Sequence, residues 1–258
     1  MPASLLRVFF LALGLLGPQA WAQEPVAAPL RVVGFVYPPF MYPDERNVPA
    51  GPMVEVVAEA LRRMGQPARI ELLPLARALR QVESGEAVAM FTVKKTAQRE
   101  AQYVFSSEPL LMQEYVIFVA QDSTLAFRGD LGVLAMSSIG VVGATSYGAI
   151  FDAAAQQGVF KKLEISSSHE ANFRKLLAGR MDAIVCSRAV GVEILKQLQA
   201  TGRVKISGPP IETTQSYLMF NKAAATPQLV AGFDHAIRGM RQQGLLGTGR
   251  KARPGGAN

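Results

Sequence analysis

The chain has 258 residues, 49% of them hydrophobic, and a formal net charge of +7. That length supports one large domain or two modest ones with real cores. The basic residues are scattered, apart from Lys94-Lys95, Lys161-Lys162 and the run Arg250-Lys251-Ala252-Arg253. No nucleic-acid-binding motif accompanies them, so the charge reads as that of a basic soluble protein.

In chain order, the apolar run Leu5-Leu6-Arg7-Val8-Phe9-Phe10 continues to Gly17-Pro18 and then gives way to Ala20-Trp21-Ala22-Gln23. Ala20 and Ala22 hold the small-residue positions of a signal-peptidase site, so residues 1–22 are expected to be a signal peptide cut after Ala22. The run is shorter than the roughly 20 residues of a membrane-spanning helix. No cysteine lies beside the cut, which argues against a lipoprotein. The expected location is the periplasm, or outside the cell.

A β-rich run, Leu30 to Val36, leads into a loop of prolines and aromatics around Tyr37 and Phe40. A helix is predicted from Pro52, with proline in its first turn and Gly65 past its end. A strand over 68–73, a helix over 75–85 and a strand over 87–93 follow. This β-α-β-α-β order predicts a parallel or mixed sheet with helices on both faces. A strand over 114–121 comes next, and then the alternation restarts. Strands are predicted over 138–146, 161–166, 181–187, 203–207 and 213–222. Helices are predicted over 147–158, 168–180, 188–202 and 226–246. Ser168 and Thr226-Pro227 are natural helix starts.

The expected organisation is α/β and two-lobed. Residues 30–121 form the first part of lobe 1, 122–209 form lobe 2, 210–247 return to lobe 1, and 248–258 form a disordered tail. Chain crossings near 121–123 and 207–211 would join the lobes, with a ligand cleft between them at the carboxyl ends of the strands.

Cys186 is the only cysteine and sits in an apolar run, which predicts a buried, inert thiol and no internal disulfide. The two histidines, His169 and His235, fall on predicted helices outside the cleft-facing turns. No Cys/His cluster, glycine-rich phosphate loop or Gly-x-Ser-x-Gly elbow is present, so no metal or cofactor is expected.

Several segments in order resemble the family 3 solute-binding proteins, the polar-amino-acid-binding type with the type II periplasmic fold. They are "LRVVGFVYPPFMY", "GPMVEVVAEALRRMG", "TAQREAQYVFSSEPLL", "IGVVGATS", "AGRMDAIVCS" and "MRQQGLL". The resemblance implies a monomeric protein that closes two lobes on a solute and delivers it to an inner-membrane ABC permease. It matches Arg99 to a carboxylate-binding arginine, whose planar fork of donors suits a carboxylate. Thr145 and Ser146 match the second-lobe turn that offers a hydroxyl and backbone N–H groups at a helix start. Tyr37 matches a pocket wall, and Phe40 is assigned to packing. Thr92 and Lys94 match small polar ligand contacts. Lys94 either adds charge to the pocket or points to water. Leu75 falls where the family has an aromatic wall, and Arg77 reaches either the cleft mouth or solvent.

Two departures set the expected ligand. Where the family grips an α-ammonium group with carboxylates, this chain has Gly34 and Ser187. An ammonium ion enclosed without a counter-charge is costly. The expected guest is therefore a small carboxylate-bearing solute, an amino acid or an organic acid, and not a typical cationic amino acid. No catalytic residue is expected. A dehydratase-like enzyme on the same fold would need an acid or base, for which Glu55 and Glu108 are the cleft-side candidates. A sensory protein feeding a membrane receptor is the other competing reading.

Overall fold

A computed structural model of the chain describes residues 28–246. The expected signal peptide and the tail from 248 lie outside these residues. In chain order the elements are β1 (Leu30–Phe35), β2 (Tyr42–Pro43), β3 (Pro49–Ala50), α1 (Pro52–Arg63), β4 (Ala68–Leu73), α2 (Leu75–Glu83), β5 (Ala89–Val93), α3 (Ala97–Gln102), β6 (Tyr103–Phe105) and β7 (Leu111–Ala120). A short 3-10 turn (Leu131–Leu134) precedes β8 (Ser138–Val142), α4 (Ala149–Gln156), β9 (Lys162–Ser166), α5 (His169–Leu177), β10 (Ala183–Ser187), α6 (Arg188–Gln197), β11 (Val204–Ile206), β12 (Glu212–Asn221) and α7 (Pro227–Gln242).

The strands run β4-β1-β5-β12-β7-β10-β8-β9, with β6 on β12 and β11 on β7. The parallel group β4-β1-β5 carries lobe 1. The parallel group β10-β8-β9 carries lobe 2. Two long antiparallel strands join them. β12 meets β7 along Glu212 to Ser216, then meets β5 and β6 along Tyr217 to Asn221. β7 meanwhile pairs along Tyr115 to Val119 with β10. β12 thus pairs with β5, β6 and β7, whereas β7 pairs with β12, β10 and β11.

Alternating side chains build the cores. On β7, Val116 and Phe118 face one apolar cluster, while Tyr115, Ile117 and Val119 face another. On β10, Ile184 and Cys186 divide from Ala183 and Val185 in the same way. This is the two-residue period of a strand buried on both faces. In α1 the apolar residues Met53, Val57, Ala60 and Leu61 recur at helical spacing and are buried. The expected starts of α5 and α7 hold, since Ser168 accepts from Ala171 N–H and Thr226 accepts from Leu229 N–H. Phe40 packs against the larger apolar cluster, and Cys186 is buried and free.

Candidate functional site

From lobe 1, β5 ends in a strained corner. Thr92 has φ 62, a value that β-branched residues rarely adopt, and its hydroxyl meets Met41 Sδ at 2.9 Å. This corner coincides with the slip in register between β5 and β12. Lys94 leaves it pointing into the gap between the lobes. Thr96 then caps α3 by accepting from Arg99 N–H at 3.2 Å, which holds Arg99 over the same gap.

From lobe 2, the turn after β8 faces these two cations. Ala144 has φ 61. Tyr147 clamps the turn, its hydroxyl accepting from Val142 N–H and its own N–H donating to Asp152. The Ser146 hydroxyl donates to Asp152 at 2.5 Å. Gly148 has φ 115 and starts α4; a Cβ there would collide with the Glu212 carboxylate, so only glycine fits. With its hydroxyl committed to Asp152, the turn offers backbone carbonyls to the gap.

The two lobes meet through these groups. Lys94 Nζ donates to Ser146 O at 2.5 Å and to Tyr115 Oη at 2.6 Å. Arg99 donates to Ala144 O at 2.9 Å and to Lys94 O at 3.1 Å. Beneath them lies a buried polar chain. Tyr37 Oη and Tyr115 Oη share a hydrogen bond at 3.0 Å, and Gln113 Nε2 donates to Tyr37 Oη and to Ser187 Oγ. The space open to water between the lobes is small, about 30 Å³.

Of the sequence-predicted residues, Arg99, Lys94, Thr92, Tyr37, Thr145 and Ser146 all line this cleft. Leu75 lines it too. Lys94 is buried there, so the reading that turns it to water fails. Arg77 is exposed on α2 and does not line the cleft; helical spacing puts Leu75 and Leu79 on the inner face instead. Ser187 is buried, accepts from Gln113 and does not line the cleft. The expectation for His169 is also corrected: it forms part of the cleft wall. His169 opens α5 at the carboxyl edge of the sheet, its ring centroid 5.7 Å from that of Tyr37 and its Nδ1 3.5 Å from Cys186 Sγ. His235, by contrast, lines a separate groove between α1 and α7. Glu108 is not a cleft residue, because it pairs with Arg238 and Arg241. Glu55 is exposed on the first turn of α1. Gln113 and Tyr115 are cleft residues the sequence reading missed.

The site is electropositive. None of the described lining residues is Asp or Glu. Asp152 lies behind the turn, its carboxylate occupied by Ser146 and Tyr147. Burial, with Arg99 nearby, lowers the Lys94 pKa to about 7, and Asp152 and Glu212 only partly oppose this. Burial also lowers the Arg99 pKa, again against Asp152. Burial and the Lys94 charge hold His169 down at about 4, so its imidazole is neutral near pH 7. Burial pushes the Tyr37 and Tyr115 hydroxyls well up. Gly34 leaves little room for a side chain: a Cβ would sit 2.6 Å from the fully buried Phe91 ring.

The sequence profile described as "Bacterial extracellular solute-binding proteins, family 3" matches residues 32–249. The chain belongs to this family. Its fold is that of the two-lobed periplasmic binding proteins. A histidine kinase sensor domain "with similarity to periplasmic binding proteins" superposes with a TM-score of 0.77 at 21% identity, covering 86% of this chain and 94% of that one. An ancestral arginine-binding protein bound to arginine gives 0.74 at 21% identity, covering 86% and 96%. The arginine-, lysine-, histidine-binding protein ArtJ from Geobacillus stearothermophilus gives 0.70 at 22% identity, covering 85% and 92%. No curated protein matches the chain significantly. No helix of the described residues is long and apolar enough to cross a membrane.

Proposed function

We propose that this family 3 protein captures a small carboxylate-bearing solute between its lobes in the periplasm and hands it to an inner-membrane ABC permease. One observation carries this reading: Arg99 and Lys94 both face the interlobe gap, and no carboxylate lines it among the described residues. The guanidinium fork of Arg99 matches the two oxygens of a carboxylate. Two backbone carbonyls of lobe 2 now accept from these cations, and carboxylate oxygens are stronger acceptors for the same donors. A cationic side chain on the guest meets the opposite situation. At about 4 Å from Lys94 a second positive charge costs about 4 kcal/mol at an effective dielectric constant near 20. That cost argues against lysine and arginine as guests, although two of the similar folds belong to proteins described by arginine binding.

Binding, and not catalysis, is the proposed activity. The described lining residues include no carboxylic acid or carboxylate, the imidazole is neutral, and the Lys94 amine and the buried hydroxyls are held by partners within the cleft. Calorimetry with monocarboxylates, dicarboxylates, neutral amino acids, lysine and arginine tests the reading. Small carboxylates should bind, and Arg99→Ala should weaken them at least tenfold, since one charge-assisted bond contributes roughly 1.5–3 kcal/mol. Circular dichroism should show that variant folded. Tight lysine or arginine binding, or unchanged affinity in Arg99→Ala, would overturn the proposal. Co-purification with a permease would support uptake, whereas capture by a histidine kinase ectodomain would move the same binding function to sensing.

A further inference from the structure

Resting on the carboxylate reading above, we propose that Lys94 is the residue that sets specificity, and that the guest is a compact dicarboxylate whose second carboxylate it holds. Arg99 and Lys94 enter the gap at separate points, five residues apart on either side of the Thr96 cap. Each donates to its own backbone carbonyl of lobe 2, Arg99 to Ala144 O and Lys94 to Ser146 O. The two acceptors are two residues apart on one turn. The site thus already holds two cation–oxygen contacts side by side, each bridging the lobes. A guest with a carboxylate at either end replaces both carbonyls at once and leaves neither cation unpaired. A monocarboxylate satisfies one cation and leaves the other with neutral acceptors only.

The surroundings sharpen this choice. Tyr115 fixes the ammonium group by its hydroxyl and lies with its ring centroid 3.9 Å from Nζ, so Lys94 cannot swing out without losing both contacts. The walls beside the cations are apolar or aromatic, with Leu75, Leu79 and Phe35 among them, which suits a short carbon linker. A phosphate ester concentrates its charge at one point and matches two separated cations less well. An amino-acid zwitterion brings an ammonium group for which Gly34 and Ser187 supply no charge.

The experiment measures affinity ratios on the full mature chain. Calorimetry compares succinate and glutarate with butyrate, inorganic phosphate and arginine, for wild type, Lys94→Ser and Lys94→Gln. For wild type the dicarboxylates should bind about tenfold to a hundredfold more tightly than butyrate, the range one charge-assisted hydrogen bond supplies. In both Lys94 variants that ratio should fall toward one, and Lys94→Arg should restore part of it. Circular dichroism monitors folding, and the glutamine variant keeps most of the side-chain length and a polar end if serine does not fold. Butyrate binding as tightly as succinate to wild type would overturn the dicarboxylate assignment and leave the carboxylate reading standing. A dicarboxylate preference that survives in the folded variants would remove Lys94 as its cause. A preference for phosphate would replace the ligand class. If no carboxylate binds at all, both this inference and the function it rests on fall.

Discussion

Replacing Lys94 by methionine tests the electrostatics of the cleft without any ligand. Folded Lys94 has its pKa lowered from 10.5 to about 7, with desolvation the largest cause. The charged and titratable groups facing it are Arg99, Asp152, Glu212, Cys186, His169 and Tyr115. The sign follows from proton counting. Between pH 7 and 10 the unfolded chain holds the Lys94 proton and the folded chain has released it, so wild-type stability rises with pH over that interval. Below pH 7 both states hold the proton, and the full burial penalty acts on the folded state. One proton corresponds to about 1.4 kcal/mol per pH unit, or about 3–6 °C in Tm for a protein of this size. The lost hydrogen bonds to Tyr115 and Ser146 add an offset to the variant that does not depend on pH. Lys94→Met should therefore have its largest advantage, or smallest deficit, at pH 6, and should lose ground to wild type by that slope from pH 7 to 9. Thermal melts of both proteins at pH 6, 7, 8 and 9 read the difference directly. A difference that stays constant across that range would show Lys94 to be hydrated, and the cleft electrostatics described above would be wrong.

Gly34→Asp places at the family's first acidic position the side chain this chain lacks. The new Cβ meets the Phe91 ring at 2.6 Å and Leu72 at 3.0 Å, so the urea midpoint should drop by an amount corresponding to roughly 1–3 kcal/mol. Arginine binding should not appear in calorimetry; its appearance would show that the core yields easily to the acid. Asp234 is buried on α7 and accepts from the Ser107 and Glu108 N–H groups at 2.9–3.0 Å. Asp234→Ala should cost about 1–3 kcal/mol by leaving two backbone donors without their partner, read from the same urea transition. An unchanged midpoint would mean that water replaces the carboxylate freely.

How much of this was legible beforehand depended on what kind of signal each residue leaves. Strand and helix periods are local, and so Ala68–Leu73 was read to the residue and Pro52 and Ser168 marked real helix starts. The pairing of β7 and β12 was not legible, because nothing local in an unbroken apolar strand says which sheet it pairs with. β6 and α3 escaped notice because three and six residues carry too little periodicity to register. At the site, Arg99 was legible through its flanking motif, while Arg77 was not separable from a solvated helix face. His169 carries a signal of its own. It is the first residue of α5, directly after β9, and in an open α/β sheet ligands gather at the carboxyl ends of strands, where the helices begin. Gln113 and Tyr115 left a fainter one. They share the parity of Ile117 and Val119 on β7, and a glutamine on the inward parity of an otherwise apolar strand is buried only with partners, which here are Tyr37 and Ser187. The replacement of a small polar residue by Lys94 was visible as a departure, but its meaning required the opposite lobe: only the fold brings Ser146 O, fifty-two positions away, to the ammonium group. A lone lysine in a sequence is most often solvated, and it becomes a candidate for recognition when tertiary structure removes its water and places a second cation beside it.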